Sequence, residues 1–301
     1  MTTHIKGTRY EIDKEFVRKE KYEELVQLAA FLLTDGGLSR DKNTYVIYFT
    51  NKSKKLHEQF RLIVKEIIPE ILFRTSTYEG VQRVYLNSIK LAELLFEFSN
   101  TYRTAPCKSH PKCALLRGKP ELRPCMACIK RFDEENIAYP DASYPIIENK
   151  ILLREVLRII SDTEGSISFL IRRKPNYILL KRTLSIACNH PILRKQIMEM
   201  LFDLDIRSRY NSGSIAIEGY AIETFNEKVG FSKGVKVNKG IYKGYDKQSV
   251  LEVMLITNMM VKKKQIFPGK IKNLENVLER CIKIYDQTYS RKQVIDFLLN
   301  C

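Results

Sequence analysis

No apolar run approaches the roughly 18–20 residues that a membrane-spanning helix needs, and Met1–Tyr10 carries no apolar core of a secretory leader. The expectation is a soluble, intracellular, cytoplasmic protein with no membrane partner. Acidic residues are also scarce: 35 Asp and Glu against 51 Lys and Arg leave a formal charge of +16. That surplus says nothing about fold, but it favours a polyanionic partner, nucleic acid first. Cysteine is too unevenly placed for a secreted disulfide framework. Four of the seven (Cys107, Cys113, Cys125 and Cys128) fall within 22 residues, which marks a local site. At 301 residues there is ample length for one large or two ordinary domains with real cores.

What the chain does have is a duplication. "LAAFLLTDGG" (Leu28–Gly37) and "LRIISDTEGS" (Leu157–Ser166) are apolar helical runs that close on an acid and a glycine, Asp35-Gly36 and Glu164-Gly165. Glycine after an apolar run is ordinary helix punctuation; its recurrence in one chain is not. After the first run (helix Lys21–Thr34) come a strand pattern at Asn43–Thr50 and a helical one at Ser53–Ile68. Two strand patterns, Ile71–Thr77 and Val81–Asn87, and a helix, Ser88–Ser99, complete the set. The second half replays this order with helix Lys150–Asp162, strands Ser166–Arg173 and Tyr177–Cys188, and helix Pro191–Leu204. Strands Arg207–Tyr210 and Ser214–Glu218 and helix Tyr220–Val229 follow.

Alternation predicts which sheet face is wet. Ile167, Phe169 and Ile171 alternate with Ser166, Ser168 and Arg172, and Leu184 and Ile186 alternate with Lys181, Thr183 and Ser185. One face packs on helices; the hydroxyl- and cation-bearing face is a candidate platform for DNA. The two runs ahead of the acids are apolar on nearly every side, as helices buried on two sides are, and Ala29 and Ala30 allow close helix approach. Between the repeats, Thr101–Pro145 reads as an insertion and linker. Beyond them, Gly230–Asp246 is a basic, Gly- and Tyr-containing stretch, and Lys247–Cys301 reads as extra helices broken at Phe267-Pro268-Gly269.

The two nine-residue stretches "LAAFLLTDG" and "LRIISDTEG", each opening an αββαββα unit, resemble the signatures of single-chain, double-motif LAGLIDADG homing endonucleases of the archaeal intron-encoded type. The resemblance covers roughly Tyr22–Phe231 and implies an α+β fold of two pseudo-symmetric units with saddle-shaped antiparallel sheets. A Cys-rich insertion and a C-terminal helical extension lie outside it. The expected division is 1–100, 101–145, 146–245 and 246–301. The resemblance implies that the signature helices pack together, that the sheets sit in the DNA major groove, and that Asp35 and Glu164 lie side by side over the minor groove. Those two acids, with Gly36 and Gly165, would hold two or more Mg²⁺ ions. The chemistry suits the residues, because Mg²⁺ takes one or two carboxylates plus phosphate oxygens and water, and paired metals can activate water and stabilise the leaving oxygen. A carboxylate at the negative end of a helix dipole is also poorly placed unless a cation neutralises it.

The resemblance carries two further positions. "FTNKSKKL" (Phe49–Leu56) matches the stretch that brings an amide and a lysine to the site, here Asn51 and Lys52. The second half has "ACNHPIL" (Ala187–Leu193), so Asn189 keeps the amide while His190 replaces the lysine. Either His190 assists one strand cut with a charge that is marginal near pH 7, or it only starts the helix ahead of Pro191. Candidate base readers are Arg40, Tyr48, Arg74, Arg83 and Tyr85 in the first half, and Ser166, Ser168, Arg172, Lys181, Thr183 and Ser185 in the second. In the insertion, Cys125-x2-Cys128 has the spacing of half a tetrahedral zinc site, which Cys107 with Cys113 or His110 would complete. Disulfides, in a hyperthermophilic host, and unpaired thiols are the other states of that cluster.

The expected function is a monomeric, site-specific double-strand DNA endonuclease. A different class on the same scaffold is a binding protein without cleavage, either an intron-RNA maturase or a DNA-binding regulator. Paired carboxylates favour the enzyme, since a pure binder of polyanions has no need of them. An intein-embedded nuclease is disfavoured, because Met1 starts cleanly and no splicing block flanks the repeats.

Overall fold

A computed structural model describes residues 12–260 except 42, 106–130, 133–137, 175–176 and 240–241, together with 265–266. The chain divides into two compact units, residues 1–163 with 188–197 and residues 164–187 with 198–301. Each contains a mixed arrangement of helices and one antiparallel sheet of four or more strands, so the fold is α+β. Among the described residues no helix is long and apolar enough to cross a membrane.

The first unit begins with α1 (Lys14–Glu20), capped by the Asp13 carboxylate, and α2 (Tyr22–Leu33). In α2 every residue from Leu28 to Leu33 is buried, which is why its sequence is apolar on all sides. Then come β1 (Gly36–Asp41), β2 (Thr44–Thr50), α3 (Lys54–Ile67), β3 (Arg74–Tyr78), β4 (Val81–Asn87) and α4 (Ile89–Phe96). The sheet order is β1-β2-β4-β3. Register puts Ile47, Phe49, Val84 and Leu86 on one face, each 0–1% exposed. Phe31, Phe49 and Phe60 meet there with ring centroids 5.1–6.0 Å apart, locking α2 and α3 onto β2. Side chains of this size each contribute about 1.5–3 kcal/mol when fully buried.

After two short paired strands, β5 (Arg131–Phe132) and β6 (Ala138–Tyr139), the chain enters α5 (Lys150–Glu164), whose body belongs to the first unit. The first turn of α2 is tied to the segment just ahead of α5: Tyr22 Oη donates to the Ile146 carbonyl (3.2 Å) and Asn149 Nδ2 to Glu23 (3.1 Å).

The second repeat continues as β7 (Gly165–Lys174), β8 (Tyr177–Ala187), α6 (Pro191–Asp203), β9 (Arg209–Asn211), β10 (Ser214–Ile217) and α7 (Ala221–Lys228). Its strands pair as β7-β8-β10-β9, the order of the first sheet. Leu184, Ile186, Ile215 and Ile217 are fully buried on the inner face. The last hairpin of each sheet closes through two residues with positive φ, Glu79-Gly80 and Ser212-Gly213. Such loops match the right-handed twist of their strands. Beyond the repeat lie α8 (Lys247–Met260) and β11 (Gln265–Ile266), which pairs with β8. The stretch expected to be wholly helical therefore also supplies a strand, directly before Phe267-Pro268-Gly269.

Candidate functional site

The acid of the first signature lies just past α2. Thr34 caps that helix, its hydroxyl reaching the Ala30 and Phe31 carbonyls at 3.1 Å each. The Asp35 carbonyl then accepts the Thr50 N–H (2.9 Å), which fixes the backbone. Gly36 answers why a glycine must follow. A Cβ there would lie 2.8 Å from Leu32 Cα, 2.8 Å from the Tyr48 oxygen and 2.9 Å from the Phe31 oxygen, all backbone atoms. Gly37 lies under the Tyr48 phenol. At Gly36 the chain can turn from helix to strand only without a side chain.

Asn51 holds the carboxylate. Its Nδ2 donates to Asp35 Oδ2 at 2.5 Å, and its Oδ1 accepts from the Ser53 N–H at 2.7 Å. The acceptor role of Oδ1 settles which way the amide points. Ser53 in turn caps α3 by accepting from Leu56 N. Lys52, between them, is exposed.

The second signature repeats the cap. Thr163 Oγ1 donates to the Ile159 and Ile160 carbonyls at 2.8 and 3.0 Å. Here, however, the helix runs two residues beyond the expected Asp162, so Glu164 is its last residue and Gly165 opens β7. In the second unit the Gly165 carbonyl accepts Lys247 Nζ at 2.7 Å. Lys247 is 5% exposed, and its ammonium stands 5.3 Å from the Phe231 ring centroid. A buried cation therefore sits one residue from the second acid. It begins α8, with the Asp246 carboxylate accepting from Ser249 N as the helix cap.

Asn189 is exposed, but His190 is 2% exposed. Its Nε2 lies 2.7 Å from the Pro140 carbonyl, and its Nδ1 accepts from the Leu193 N–H at 3.3 Å. A carbonyl only accepts, so the ring carries its proton on Nε2 and is neutral in this arrangement. Its ring meets Tyr139 edge to face at 5.2 Å. In this arrangement His190 starts α6 and pins the segment after β6.

On the outer face of the first sheet, Gly37, Tyr48, Tyr85 and Arg74 stand opposite one another across all four strands. In the next row Arg83 Nε donates to Thr50 Oγ1 (3.0 Å), and its guanidinium lies 4.4 Å from the Tyr48 ring and 4.3 Å from the Tyr78 ring. Arg40 is different. It is registered with Tyr45, whose ring packs on Phe96 of α4, so alternation puts it on the helix side of the sheet end and away from the outer row. In the second sheet Ser166 faces Ser185 and Ser168 faces Thr183. Both Ser166 and Ser168 are exposed, whereas Thr183 is 8% exposed and donates to Glu218, which also pairs with Arg209 (3.0 Å). Arg172 and Lys181 fall opposite Leu179 and Leu170 in the ladder; their side chains lie outside the described residues. So do Cys107, His110, Cys113, Cys125 and Cys128.

No protein-family profile matches the chain, and no curated protein does. Solved structures do. The chain is similar to the crystal structure of I-DmoI in complex with DNA and Mn, at 13% identity and TM-score 0.40, covering 69% of this chain and 96% of that one. It is similar to the LAGLIDADG meganuclease I-AabMI bound to uncleaved DNA, at 10% identity and TM-score 0.45, covering 88% and 99%. It is also similar to the homing endonuclease I-WcaI bound to its DNA recognition sequence, at 14% identity and TM-score 0.35, covering 69% and 80%.

Sequence reasoning misses Thr34, Thr163, Lys247 and Arg209. A threonine before each acid is visible in both signatures. Lys247, 82 residues from Gly165, leaves no local signal.

Proposed function

We propose that this chain is a site-specific double-strand DNA endonuclease, with Asp35 and Glu164 as the metal-binding acids of two half-sites. One observation carries the reading: each repeat ends its first helix on a threonine-capped turn, an acid and a glycine at the head of an antiparallel sheet. Asp35 is held by an amide and Glu164 has a buried cation beside it. A pure binding protein gains nothing from a carboxylate oriented in this way toward a polyanion.

The donor set fits a hard divalent cation such as Mg²⁺, since carboxylates are the oxygen donors such an ion prefers. Of the glycines, Gly165 is the weaker ligand, because its carbonyl already accepts an ammonium that would repel a metal ion. Bound Mg²⁺ would lower the pKa of an attacking water and steady charge on the phosphate. Asn51 keeps the Asp35 carboxylate in one orientation. Lys52 gives the first half a cation for the phosphate; in the second half we assign that part to Lys247, with His190 confined to starting α6 and Asn189 exposed beside it. Tyr48, Arg74, Arg83 and Tyr85 of the first sheet, and Ser166, Ser168, Ser185, Arg172, Lys181 and Arg209 of the second, would meet DNA; Arg40 would reach only its backbone, and Thr183 would act through Glu218.

Two signatures in one chain supply both acids, so a cytoplasmic monomer suffices. Intron RNA is a second partner only if cleavage is lost. Cys107, Cys113, Cys125 and Cys128 would hold one structural zinc ion, and serine at Cys125 and Cys128 should release it, as metal analysis would register. The function is tested by incubating the protein with Mg²⁺ and a randomised duplex library and sequencing the ends. A unique cut site with both strands broken is expected. Specific binding without cleavage would replace the enzyme by a maturase or regulator.

A further inference from the structure

We infer that His57 is a positioning residue of the first half-site: it clamps Asn51 so that the amide keeps its grip on the Asp35 carboxylate. The inference rests on the endonuclease reading above. His57 lies in the first turn of α3 and is 4% exposed. Its Nε2 is 2.7 Å from the Asn51 carbonyl. Because that oxygen can only accept, the ring carries its proton on Nε2. Nδ1 is buried without a partner. From β2 the ring meets the uncharged Phe49, edge on at 5.4 Å, and one turn along α3 stands Arg61, whose charge opposes a second proton on the ring.

A buried histidine bonded to a carbonyl is often only a packing feature. What distinguishes this one is the residue it holds. All the other polar groups of Asn51 are also engaged: the N–H with the Gln82 carbonyl at 3.2 Å, Oδ1 with Ser53 N at 2.7 Å, and Nδ2 with Asp35 at 2.5 Å. Four tethers on one residue leave a single orientation, in which an N–H rather than an oxygen meets the carboxylate. His57 provides the tether from α3, the helix that Phe60 anchors in the core. Geometry errors of this scale are costly in catalysis. In sequence the histidine belongs to one half only. Six residues after Asn189, where a counterpart would stand, the chain has Lys195.

The test uses the full chain with His57→Leu, which removes the donor, and His57→Gln, whose side-chain N–H can replace it. Wild-type ¹⁵N NMR should show the Nε2–H tautomer at His57 and slowly exchanging Asn51 side-chain amide protons. On a selected target with Mg²⁺, His57→Leu should slow one strand cut at least tenfold, leave the other within twofold, and bind DNA within twofold of wild type. A nicked intermediate then accumulates, and His57→Gln restores the slow cut to within threefold. An Nδ1–H tautomer in the wild type overturns the inference whether or not the variants fold. So does equal slowing of both strands, or none, in folded His57→Leu. Asp35→Asn separates the two claims. If it cuts at the wild-type rate the catalytic site is wrong; if it is inactive while His57→Leu is unimpaired, only the role of His57 fails.

Discussion

Replacing Asn51 by Asp tests the geometry around Asp35 through stability alone. Asn51 Nδ2 is 2.5 Å from Asp35 Oδ2, and Asn51 is 7% exposed. The variant keeps an oxygen for the Ser53 N–H but exchanges a donor for a second carboxylate. Two unit charges about 4 Å apart repel by about 4 kcal/mol at an effective dielectric of about 20. Divided by about 1.4 kcal/mol per pH unit, that repulsion raises the proton affinity of the folded pair by about three units. The unfolded chain holds the two charges apart, so the folded variant binds one more proton than the unfolded chain over this range. The deficit relative to wild type is therefore small near pH 4, grows by about 1.4 kcal/mol per pH unit, and levels near pH 7 at about 4 kcal/mol. Urea unfolding at pH 4.5, 5.5, 6.5 and 7.5 reads it directly. Asn51→Leu serves as the control, since it loses the contact with Asp35, and the Ser53 bond as well, without adding charge, and should show a much flatter deficit. A flat deficit for Asn51→Asp, equal to that of Asn51→Leu, would refute the contact with Asp35.

Other expectations follow from the same packing. Gly36→Ala forces a methyl within 2.9 Å of three backbone atoms, and overpacking of this kind should cost about 2–3 kcal/mol in urea unfolding; Gly37→Ala meets only the movable Tyr48 phenol and should cost less. His190→Ala removes two hydrogen bonds and a buried ring, so it should lower stability by about 2–4 kcal/mol; under the proposed endonuclease reading it should leave the ratio of the two strand rates unchanged. The pKa of His57 is lowered from its usual 6.5, first by burial, with Arg61 adding to the effect and the Asn51 carbonyl opposing it. A depressed pKa means stability that is present above pH 6.5 and lost as pH falls through the folded value. Thermal melts should therefore shift downward between pH 7 and 5, and His57→Gln should flatten that slope.

Much of this protein is legible in its amino-acid sequence. Period-3.6 and period-2 patterns locate both signature helices and most strands, because those elements bury one face and their side chains must alternate with it. The duplication makes the acids recognisable, since the two signatures repeat each other locally. β1 leaves no such trace because "GLSRD" has no alternation of its own; it becomes a strand through its ladder with β2. The chain beyond residue 246 reads as helices alone, and β11 likewise exists only because β8 offers an edge.

The site divides in the same way. Asp35 and Glu164 are marked by their local sequence. Lys247 and His57 matter because of what they touch 82 and six residues away, and only tertiary packing brings an ammonium to the Gly165 carbonyl or a ring nitrogen to Asn51. His190 and Arg40 look equivalent to their neighbours as letters. Burial turns the first into a helix-starting residue, and strand register turns the second to the helix side of its sheet. The sequence by itself determined which segments pair hydrophobic faces, because that depends on spacing along one element. Tertiary structure decided which polar groups meet, because a hydrogen bond depends on positions a few ångströms apart in space between segments that the chain does not place side by side.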